Sequence, residues 1–210
     1  MTRAIVFGGA FNPPTNAHVS LGEYALRAVG AECVIYVPTK QSYVADIQKK
    51  EYVFTDEDRL EMLETLASQR EWMIVSDHEI RSLQQPRTYE TLCYLKENGY
   101  EPTLLFGSDK LPELEHGWRY VEEICKEFGI VCMKRSTDEP EVLIEQDPYL
   151  KTLQPYITIL ETPDSTKGVS STAVRVALHE MMEGYQNIRA SVPEELMNLL
   201  MNHMKEETSL

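Results

Sequence analysis

The fold is decided by the stretch Gly8-Gly9-Ala10-Phe11-Asn12-Pro13-Pro14-Thr15-Asn16-Ala17-His18. It follows a short apolar run at Ala4–Phe7 and leads into an amphipathic segment, so it joins a predicted strand to a predicted helix. Adjacent glycines let the backbone turn sharply and bring its N–H groups close to a ligand, and the two prolines stiffen the chain before the helix. A helix N-terminus placed after such a turn is a ready site for phosphate. The stretch therefore predicts a phosphate-binding corner of an α/β fold.

Two polar side chains stand near the start of the helix that follows. Thr15 and His18 are three residues apart, so they lie on one face of the predicted helix Asn16–Val29. A hydroxyl and an imidazole at that position could reach the same phosphoryl group. The alternative is a plain strand–turn–helix corner in which His18 is an ordinary residue of the first turn.

The rest of the chain alternates short apolar runs with amphipathic stretches. Runs that are rich in β-branched residues and lack alternation predict strands buried on both faces, and capping residues and glycine stops mark the helices between them. This order predicts an α/β Rossmann-like, doubly wound parallel sheet with helices on both faces, in a single domain over residues 1–210 with a helical C-terminal part from about 170 to 210. The predicted strands are Ala4–Phe7, Cys33–Val37, Met73–Ser76, Thr103–Phe106, Ile130–Met133 and Ile157–Leu160, and the predicted helices are Asn16–Val29, Thr55–Ser68, Thr88–Asn98, Trp118–Phe128, Ser171–Glu183 and Pro193–Lys205.

Two stretches fit this pattern poorly and are predicted to be loops. Thr39–Phe54 is polar and contains Lys40, Lys49 and Lys50, and Ser136–Pro148 is acidic and contains two prolines. Loops of this length in a compact domain are either functional lids or mobile surface.

Composition excludes several classes of protein. Twenty basic against 34 acidic residues give a net charge of −14, which argues against non-specific binding to nucleic acid. No apolar run approaches the roughly 18 residues that span a bilayer, and the N-terminus lacks the features of a signal peptide. We therefore expect a cytoplasmic protein without membrane attachment. Four scattered cysteines without a CxxC pair are expected to be buried thiols, and they are Cys33, Cys93, Cys125 and Cys132.

A second candidate phosphate site lies near the C-terminal end. The string Ser170-Ser171-Thr172-Ala173-Val174-Arg175 opens an amphipathic helix. Ser171 and Thr172 can cap that helix or present hydroxyls and N–H groups to an anion, and Arg175 shares the face of Ser171 and adds a forked, charged donor. The alternative is a capped surface helix with a solvated arginine.

A nucleotide pocket is indicated between the two sites. The predicted strand Thr103–Phe106 ends in Gly107-Ser108-Asp109, and Trp118 follows. A glycine permits close approach of a ligand, and a carboxylate at the end of a strand accepts hydrogen bonds from ribose hydroxyls. Trp118 is either a stacking residue or part of the core.

These motifs together resemble the HIGH-type nucleotidyltransferases, and over most of the chain they are similar to the nicotinate and nicotinamide mononucleotide adenylyltransferases. Phe11-Asn12-Pro13-x-Thr15-Asn16-x-His18 resembles the family's T/HxGH signature, with Thr15 at its first histidine and Ala17 at its glycine. Residues 170–175 resemble its ISSTxxR motif, and Gly107, Asp109 and Trp118 its GxD…W segment. The run 87–92 resembles YTxDTL with two substitutions, and the family's Pro-His-Lys segment has no counterpart that we can place in 39–54.

The resemblance implies roles for individual residues. Catalysis would fall to His18, Thr15 and Arg175, with the departing pyrophosphate held at the second phosphate site. The residues implied to bind ATP are Gly8, Gly9, Ala10, Phe11, His18, Gly107, Asp109, Ser170, Ser171, Thr172 and Arg175. Those implied to bind the mononucleotide are Asn12, Thr88, Trp118 and Arg135.

The implied reaction is in-line attack by the acceptor's 5′-phosphate on the α-phosphorus of ATP. It releases pyrophosphate and makes the dinucleotide or its deamido form. Mg²⁺ is expected to accompany ATP and to bridge phosphates and waters, without a protein metal site. Two alternatives stay open, namely another phosphorylated small acceptor and a non-catalytic nucleotide-binding regulator. The choice between nicotinate and nicotinamide, and whether the chain forms a homo-oligomer, are also open.

Overall fold

The structure is a computed structural model that describes residues 1–46, 54–135, 137–166, 168–179 and 185–207. These described residues contain one six-stranded sheet. The sheet order is β3-β2-β1-β4-β5-β6, and the pairs β1–β4, β4–β5 and β5–β6 are parallel. This is the strand order of a doubly wound nucleotide-binding sheet, so the Rossmann-like prediction is confirmed. The strands are β1 (Thr2–Gly9), β2 (Cys33–Pro38), β3 (Met73–Val75), β4 (Tyr100–Gly107), β5 (Ile130–Lys134) and β6 (Ile157–Glu161).

Helices alternate with these strands along the chain. The α-helices are α1 (Asn16–Val29), α2 (Gln41–Asp46), α3 (Asp56–Ala67), α4 (His78–Arg81), α5 (Thr88–Glu97), α6 (Val121–Phe128), α7 (Pro140–Gln146), α8 (Pro148–Leu153), α9 (Ser171–His179), α10 (Tyr185–Ser191) and α11 (Met197–Glu207). Short 3-10 helices cover Ser108–Glu113, Gln154–Tyr156, Asp164–Thr166 and Glu194–Leu196.

Local sequence signals account for the main elements. All six residues of β2 are buried, as expected for an apolar run without alternation. The start of α3 is a capping box, because Thr55 Oγ1 accepts from the Asp58 amide and Asp58 Oδ2 accepts from the Thr55 amide, both over 3.1 Å. All six predicted strands and the helix α1 are present in the structure. The expected burial on both faces is wrong for β6, whose residues are half-buried or exposed because it is the last strand of the sheet.

The structure corrects three of the predicted elements. The helix predicted from Trp118 begins only at Val121, because Tyr120 takes a left-handed backbone conformation with φ 61° at the N-cap. The loop predicted at Ser136–Pro148 contains α7 and leads into α8, each with a proline in its first turn, where the missing N–H is harmless. The loop predicted at Thr39–Phe54 contains α2.

Some predictions lie outside the described residues. Lys49 and Lys50 fall there, as do residues 180–184, where the helix predicted from Ser171 was expected to end.

The described chain divides into two compact units. The first unit comprises Met1–Gly8, Leu21–Ile35 and Pro86–Asp164, and the second comprises Gly9–Ser20, Tyr36–Gln85 and Ser165–Leu210. In the first unit, the almost completely buried large side chains include Ile5, Ile35, Leu92, Leu105, Leu111 and Leu114. In the second they include Phe11, Tyr36, Phe54, Arg59, Leu63 and Leu66, so a charged residue belongs to the interior of the second unit.

Within the described ranges, no helix combines the length and the apolar character that crossing a bilayer would require.

Candidate active site

The glycine corner is shaped around the ring of Phe11. Phe11 has φ 44° and is only 2% exposed, and its ring meets the His18 ring edge-on at 5.1 Å. A Cβ on Gly9 would lie 3.3 Å from that ring, whereas a Cβ on Gly8 would meet no atom within 4 Å. A left-handed phenylalanine costs about 1–3 kcal/mol, which burial of its ring offsets. Gly9 is therefore the glycine that this packing needs, and the side chain of Phe11 supports His18 from within the interior.

Arg59 holds the loop that follows β1. Its side chain is fully buried and donates to the carbonyl oxygens of Ala10 over 2.7 Å and Phe54 over 3.2 Å, and it pairs with Asp56 over 2.5 Å. Burial lowers the pKa of the Arg59 guanidinium, and the Asp56 carboxylate opposes that shift. The sequence alone does not show this anchoring role, because a charged residue within a helical pattern gives no signal of burial.

Asn12 is also used inside the protein. It is 1% exposed, and its Oδ1 accepts a hydrogen bond from the Phe54 amide over 2.8 Å. The peptide bond between Asn12 and Pro13 is cis. The side-chain oxygen therefore serves the loop conformation here, and the contact with the mononucleotide stays a prediction.

Thr15 and His18 form a directed pair. Thr15 is fully buried, and its backbone amide donates to Nδ1 of His18 over 3.0 Å, with Thr15 Oγ1 at 2.9 Å from the same nitrogen. A backbone amide can only donate, so Nδ1 is the acceptor and the ring proton of neutral His18 sits on Nε2. Tyr36 adds a hydrogen bond from its hydroxyl to the His18 carbonyl over 3.0 Å. The half-buried imidazole is thus prepared to donate from Nε2.

The start of α9 is tied to the same loop. Ser171 Oγ donates to the Pro13 carbonyl over 2.8 Å, and Arg175 donates to the Asn12 carbonyl over 2.8 Å. Burial lowers the pKa of the half-buried Arg175 guanidinium. The structure therefore ties Ser171 and Arg175 to the backbone of the loop that also contains Thr15.

The cap of α9 differs from the predicted one. Ser170 Oγ accepts from the Ala173 amide over 3.1 Å, so Ser170 caps the helix in place of Ser171 or Thr172. Thr172 is exposed, and its hydroxyl lies 3.2 Å from Arg175. The hydroxyl of Ser171 is directed at the loop as described above.

A second cluster stands at the end of β4 in the first unit. Asp109 Oδ1 and Arg135 Nε form an ion pair at 3.0 Å. A Cβ on Gly107 would come within 2.6 Å of that carboxylate oxygen and 2.9 Å of that nitrogen. A side chain at Gly107 would therefore displace the two charged groups from the positions they have here.

The remaining predicted residues lie in the same unit. Trp118 is half-buried, with its ring edge-on to Phe106 at 5.9 Å. Thr88 is the half-buried first residue of α5. Glu90, one of the two substitutions in the run 87–92, accepts from the Arg87 amide over 2.8 Å and so closes the start of that helix.

Protein ligands for a metal ion are not grouped in the described parts of the chain. No three His, Cys, Asp or Glu side chains there lie close enough together to hold an ion. The polar groups that the described part of the second unit gathers at residues 12–18 and at the start of α9 are hydroxyls, amides, an imidazole and a guanidinium, which suit an anion.

Most of the chain is similar to known proteins. Residues 6–177 match the profile of the cytidylyltransferase-like family. A protein of Carboxydothermus hydrogenoformans, named as a probable nicotinate-nucleotide adenylyltransferase, is 30% identical over 180 residues, which are 84% of this chain and 86% of that protein. A protein of the same name from Aquifex aeolicus is 36% identical over 133 residues, 62% of this chain and 76% of that protein.

Solved structures match the fold as well. The Plasmodium falciparum nicotinic acid mononucleotide adenylyltransferase complexed with APC superposes with a TM-score of 0.74, covering 97% of this chain and 96% of that one at 16% identity. The same enzyme complexed with NaAD gives 0.71 at the same coverage and identity. At this low identity the solved structures show only the fold, and the sequence matches show the family. The chain belongs to the cytidylyltransferase-like family, and within it to the nicotinate-nucleotide adenylyltransferases.

Proposed function

We propose that the protein transfers the adenylyl group of ATP to the 5′-phosphate of nicotinate mononucleotide, forming deamido-NAD and releasing pyrophosphate. The observation that carries the proposal is the attachment of His18, Ser171 and Arg175 to one short loop. His18 precedes Ser171, the first residue of α9, by 153 positions in the sequence. The attachment of both segments to one loop is therefore a property of the fold. The names of the relatives favour nicotinate over nicotinamide as the base.

In the proposed reaction, an oxygen of the acceptor phosphate attacks the α-phosphorus of ATP, and the bond to the bridging oxygen of pyrophosphate breaks. A phosphate nucleophile is already ionised near pH 7, so no protein base is needed. Catalysis then rests on alignment, which supplies about 7–11 kcal/mol, and on charge stabilisation. His18 Nε2 is assigned as donor to the α-phosphoryl oxygens, with Thr15 orienting the ring.

The leaving pyrophosphate is assigned to α9 and the loop after β1. Arg175 offers a forked charged donor, Ser170, Ser171 and Thr172 offer hydroxyls, and Gly8, Gly9, Ala10 and Phe11 offer backbone. Mg²⁺ is expected to enter with ATP, where it would neutralise phosphate charge while bound to phosphate oxygens and water.

The residues of the first unit keep the roles that the resemblance implies. Gly107 and Asp109 are assigned to the adenosine ribose, and Thr88, Trp118 and Arg135 to the mononucleotide. Residues 1–210 are proposed to form one nucleotidyltransferase domain. The cytoplasmic location, the absence of nucleic-acid binding and any self-association stay predictions of the sequence.

The test is to titrate ATP with nicotinate mononucleotide and, separately, with nicotinamide mononucleotide, measuring pyrophosphate release and dinucleotide formation. We expect release with nicotinate mononucleotide and a lower kcat/KM with the amide. Release only with another phosphorylated acceptor, such as phosphopantetheine, would change the acceptor. ATP binding without release in the presence of any acceptor would identify a regulator and end the proposal.

A further inference from the structure

At the end of β4, the Ser108 hydroxyl is hydrogen-bonded to both Asp138 and Arg135, and we call this set of bonds the Ser108 relay. The proposed reaction assigns no role to it. Ser108 is 4% exposed, and its hydroxyl donates to Asp138 Oδ2 over 2.6 Å. Ser108 Oγ also accepts a hydrogen bond from the Arg135 backbone amide over 2.9 Å. Ser108 precedes Asp109 in the chain, and its hydroxyl therefore fixes the backbone of Arg135, the residue that pairs with Asp109.

The relay continues the sheet beyond its last backbone pair. The ladder between β4 and β5 ends with Gly107 opposite Met133, and the chain after Gly107 turns into a 3-10 helix. Arg135 thus lies past the point where a β4 carbonyl could receive its amide. The Ser108 hydroxyl takes that place, which satisfies a backbone donor next to a buried side chain.

Asp138 sets the direction of that hydroxyl. A carboxylate can only accept, so the Ser108 proton points at Asp138 and a lone pair of the oxygen faces the Arg135 amide. Asp138 is itself held by its backbone amide, which donates to the Arg135 carbonyl over 2.8 Å. Arg135 and Asp138 are therefore both hydrogen-bonded to one serine.

The side chain of Arg135 starts from this fixed backbone and meets Asp109 at 3.0 Å. The Arg135 side chain is 65% exposed and that of Asp109 is 37% exposed, so solvent screens their attraction. The ion pair by itself would hold the two side chains together only weakly. Anchoring the backbone on either side reduces the conformations that compete with the pair.

We infer that Ser108 and Asp138 are positioning residues that hold Arg135 against Asp109 and so prepare the Asp109 carboxylate for the ribose of ATP. This inference rests on the proposed role of Asp109. Neither Ser108 nor Asp138 is required to touch a substrate. Their removal should weaken ATP binding while the phosphate chemistry, assigned to the second unit, continues.

The test compares matched variants by calorimetric Kd for ATP, which needs no turnover, together with kcat. Ser108→Ala and Asp138→Ala should each raise the Kd for ATP about tenfold, the effect of losing one charge-assisted hydrogen bond, and leave kcat within about twofold. Asp138→Asn keeps an oxygen that accepts from Ser108 and should restore binding to within about threefold of the parent. Ser68→Ala, which removes an exposed hydroxyl at the end of α3, is the control and should change neither quantity.

A second comparison shows whether the serine acts through the arginine. In an Arg135→Ala background, Ser108→Ala should add less than about twofold to the Kd, because the group it positions is gone. A purely structural role would instead lower the melting temperature and kcat while the Kd for ATP stayed at its parental value, which would overturn the inference. If Asp109→Ala weakens ATP binding but Ser108→Ala does not, the inference about Ser108 and Asp138 is wrong and the proposed function stands. If ATP binds without pyrophosphate release, the proposed function fails, and the Kd series still decides the relay.

Discussion

The backbone amide of Thr15 donates to Nδ1 of His18 over 3.0 Å. The contact is built into the first turn after the cis bond at Pro13, and the buried ring of Phe11 backs it from the other side. Because the donor is backbone, any residue at position 15 except proline would keep His18 in the same tautomer. This explains why threonine can stand where the family signature has a histidine.

Replacing His18 tests the central assignment. His18→Ala should lower kcat by about 10²–10³, the effect of removing one preorganised donor to a developing charge, with an unchanged melting temperature. Thr15→Val keeps the backbone amide and loses only the hydroxyl, so it should lower kcat by less than about tenfold. His116→Ala, at an exposed histidine, is the control. Unchanged turnover in the His18 variant would refute its role.

Trp118 should discriminate between the two substrates. We expect Trp118→Ala to weaken binding of nicotinate mononucleotide about tenfold and to leave the Kd for ATP within about twofold, since a stacked ring contributes about 1–3 kcal/mol. Trp118→Phe keeps an aromatic face and should recover most of the affinity. Calorimetry with each substrate separates the effects, and equal losses for both substrates would count against stacking.

Arg59 should be a stability residue. Arg59→Ala removes the donor to the Ala10 and Phe54 carbonyls and the partner of Asp56, so it should lower the free energy of unfolding by about 3–5 kcal/mol. Arg81→Ala, whose side chain is 72% exposed in its pair, should change it by at most about 0.5 kcal/mol. Urea unfolding measures both, and similar values for the two variants would contradict the anchoring role.

Glu195 should give the protein a pH-dependent contribution to stability. Its own backbone amide and the ion pair with Arg70 at 2.9 Å hold the pKa of the Glu195 carboxyl below its ordinary value. A carboxyl with a lowered folded-state pKa stabilises the protein at pH above its unfolded-state pKa, and that contribution disappears as the pH falls through the folded-state value. Glu195→Gln should therefore lower the free energy of unfolding near pH 7, by at most about 1 kcal/mol.

The same variant should match the parent at acid pH, where the parent's carboxyl is protonated too. Urea midpoints from about pH 7 to about pH 3 would show the two curves converging. Glu194→Gln, at a side chain that is 85% exposed, is the neighbouring control and should follow the parent throughout. A constant gap between Glu195→Gln and the parent at every pH would assign the difference to packing.

Elements longer than two turns and the buried strands could be predicted from the sequence, because both leave a periodic or continuous apolar pattern. α1 and the capping box of α3 are examples. Shorter helices such as α2 and α7 were not predicted, since a helix of fewer than two turns is too short to show a hydrophobic period. The proline at the start of α7 also suggests a loop as readily as a helix start. The late start of α6 depends on the left-handed Tyr120, which has no sequence signature.

The sequence pointed to the motif residues of the candidate site, whose roles stay predictions, and it did not point to the residues that support them. Thr15, His18, Ser171 and Arg175 were expected near one another. The structure shows the Thr15–His18 pair and the hydrogen bonds from Ser171 and Arg175 to the carbonyls of Pro13 and Asn12. The burial of Asn12 and Arg59, and the Ser108 relay, come from contacts between distant segments. Such contacts leave no pattern in a single sequence.

Arg175 and Ser171 reach back to carbonyls at Asn12 and Pro13, 163 and 158 positions earlier in the chain. During translation the loop after β1 leaves the ribosome long before these two donors are made. A nascent chain that stops short of α9 lacks them altogether. Nucleotide affinity should accordingly emerge only after α9 has been synthesised.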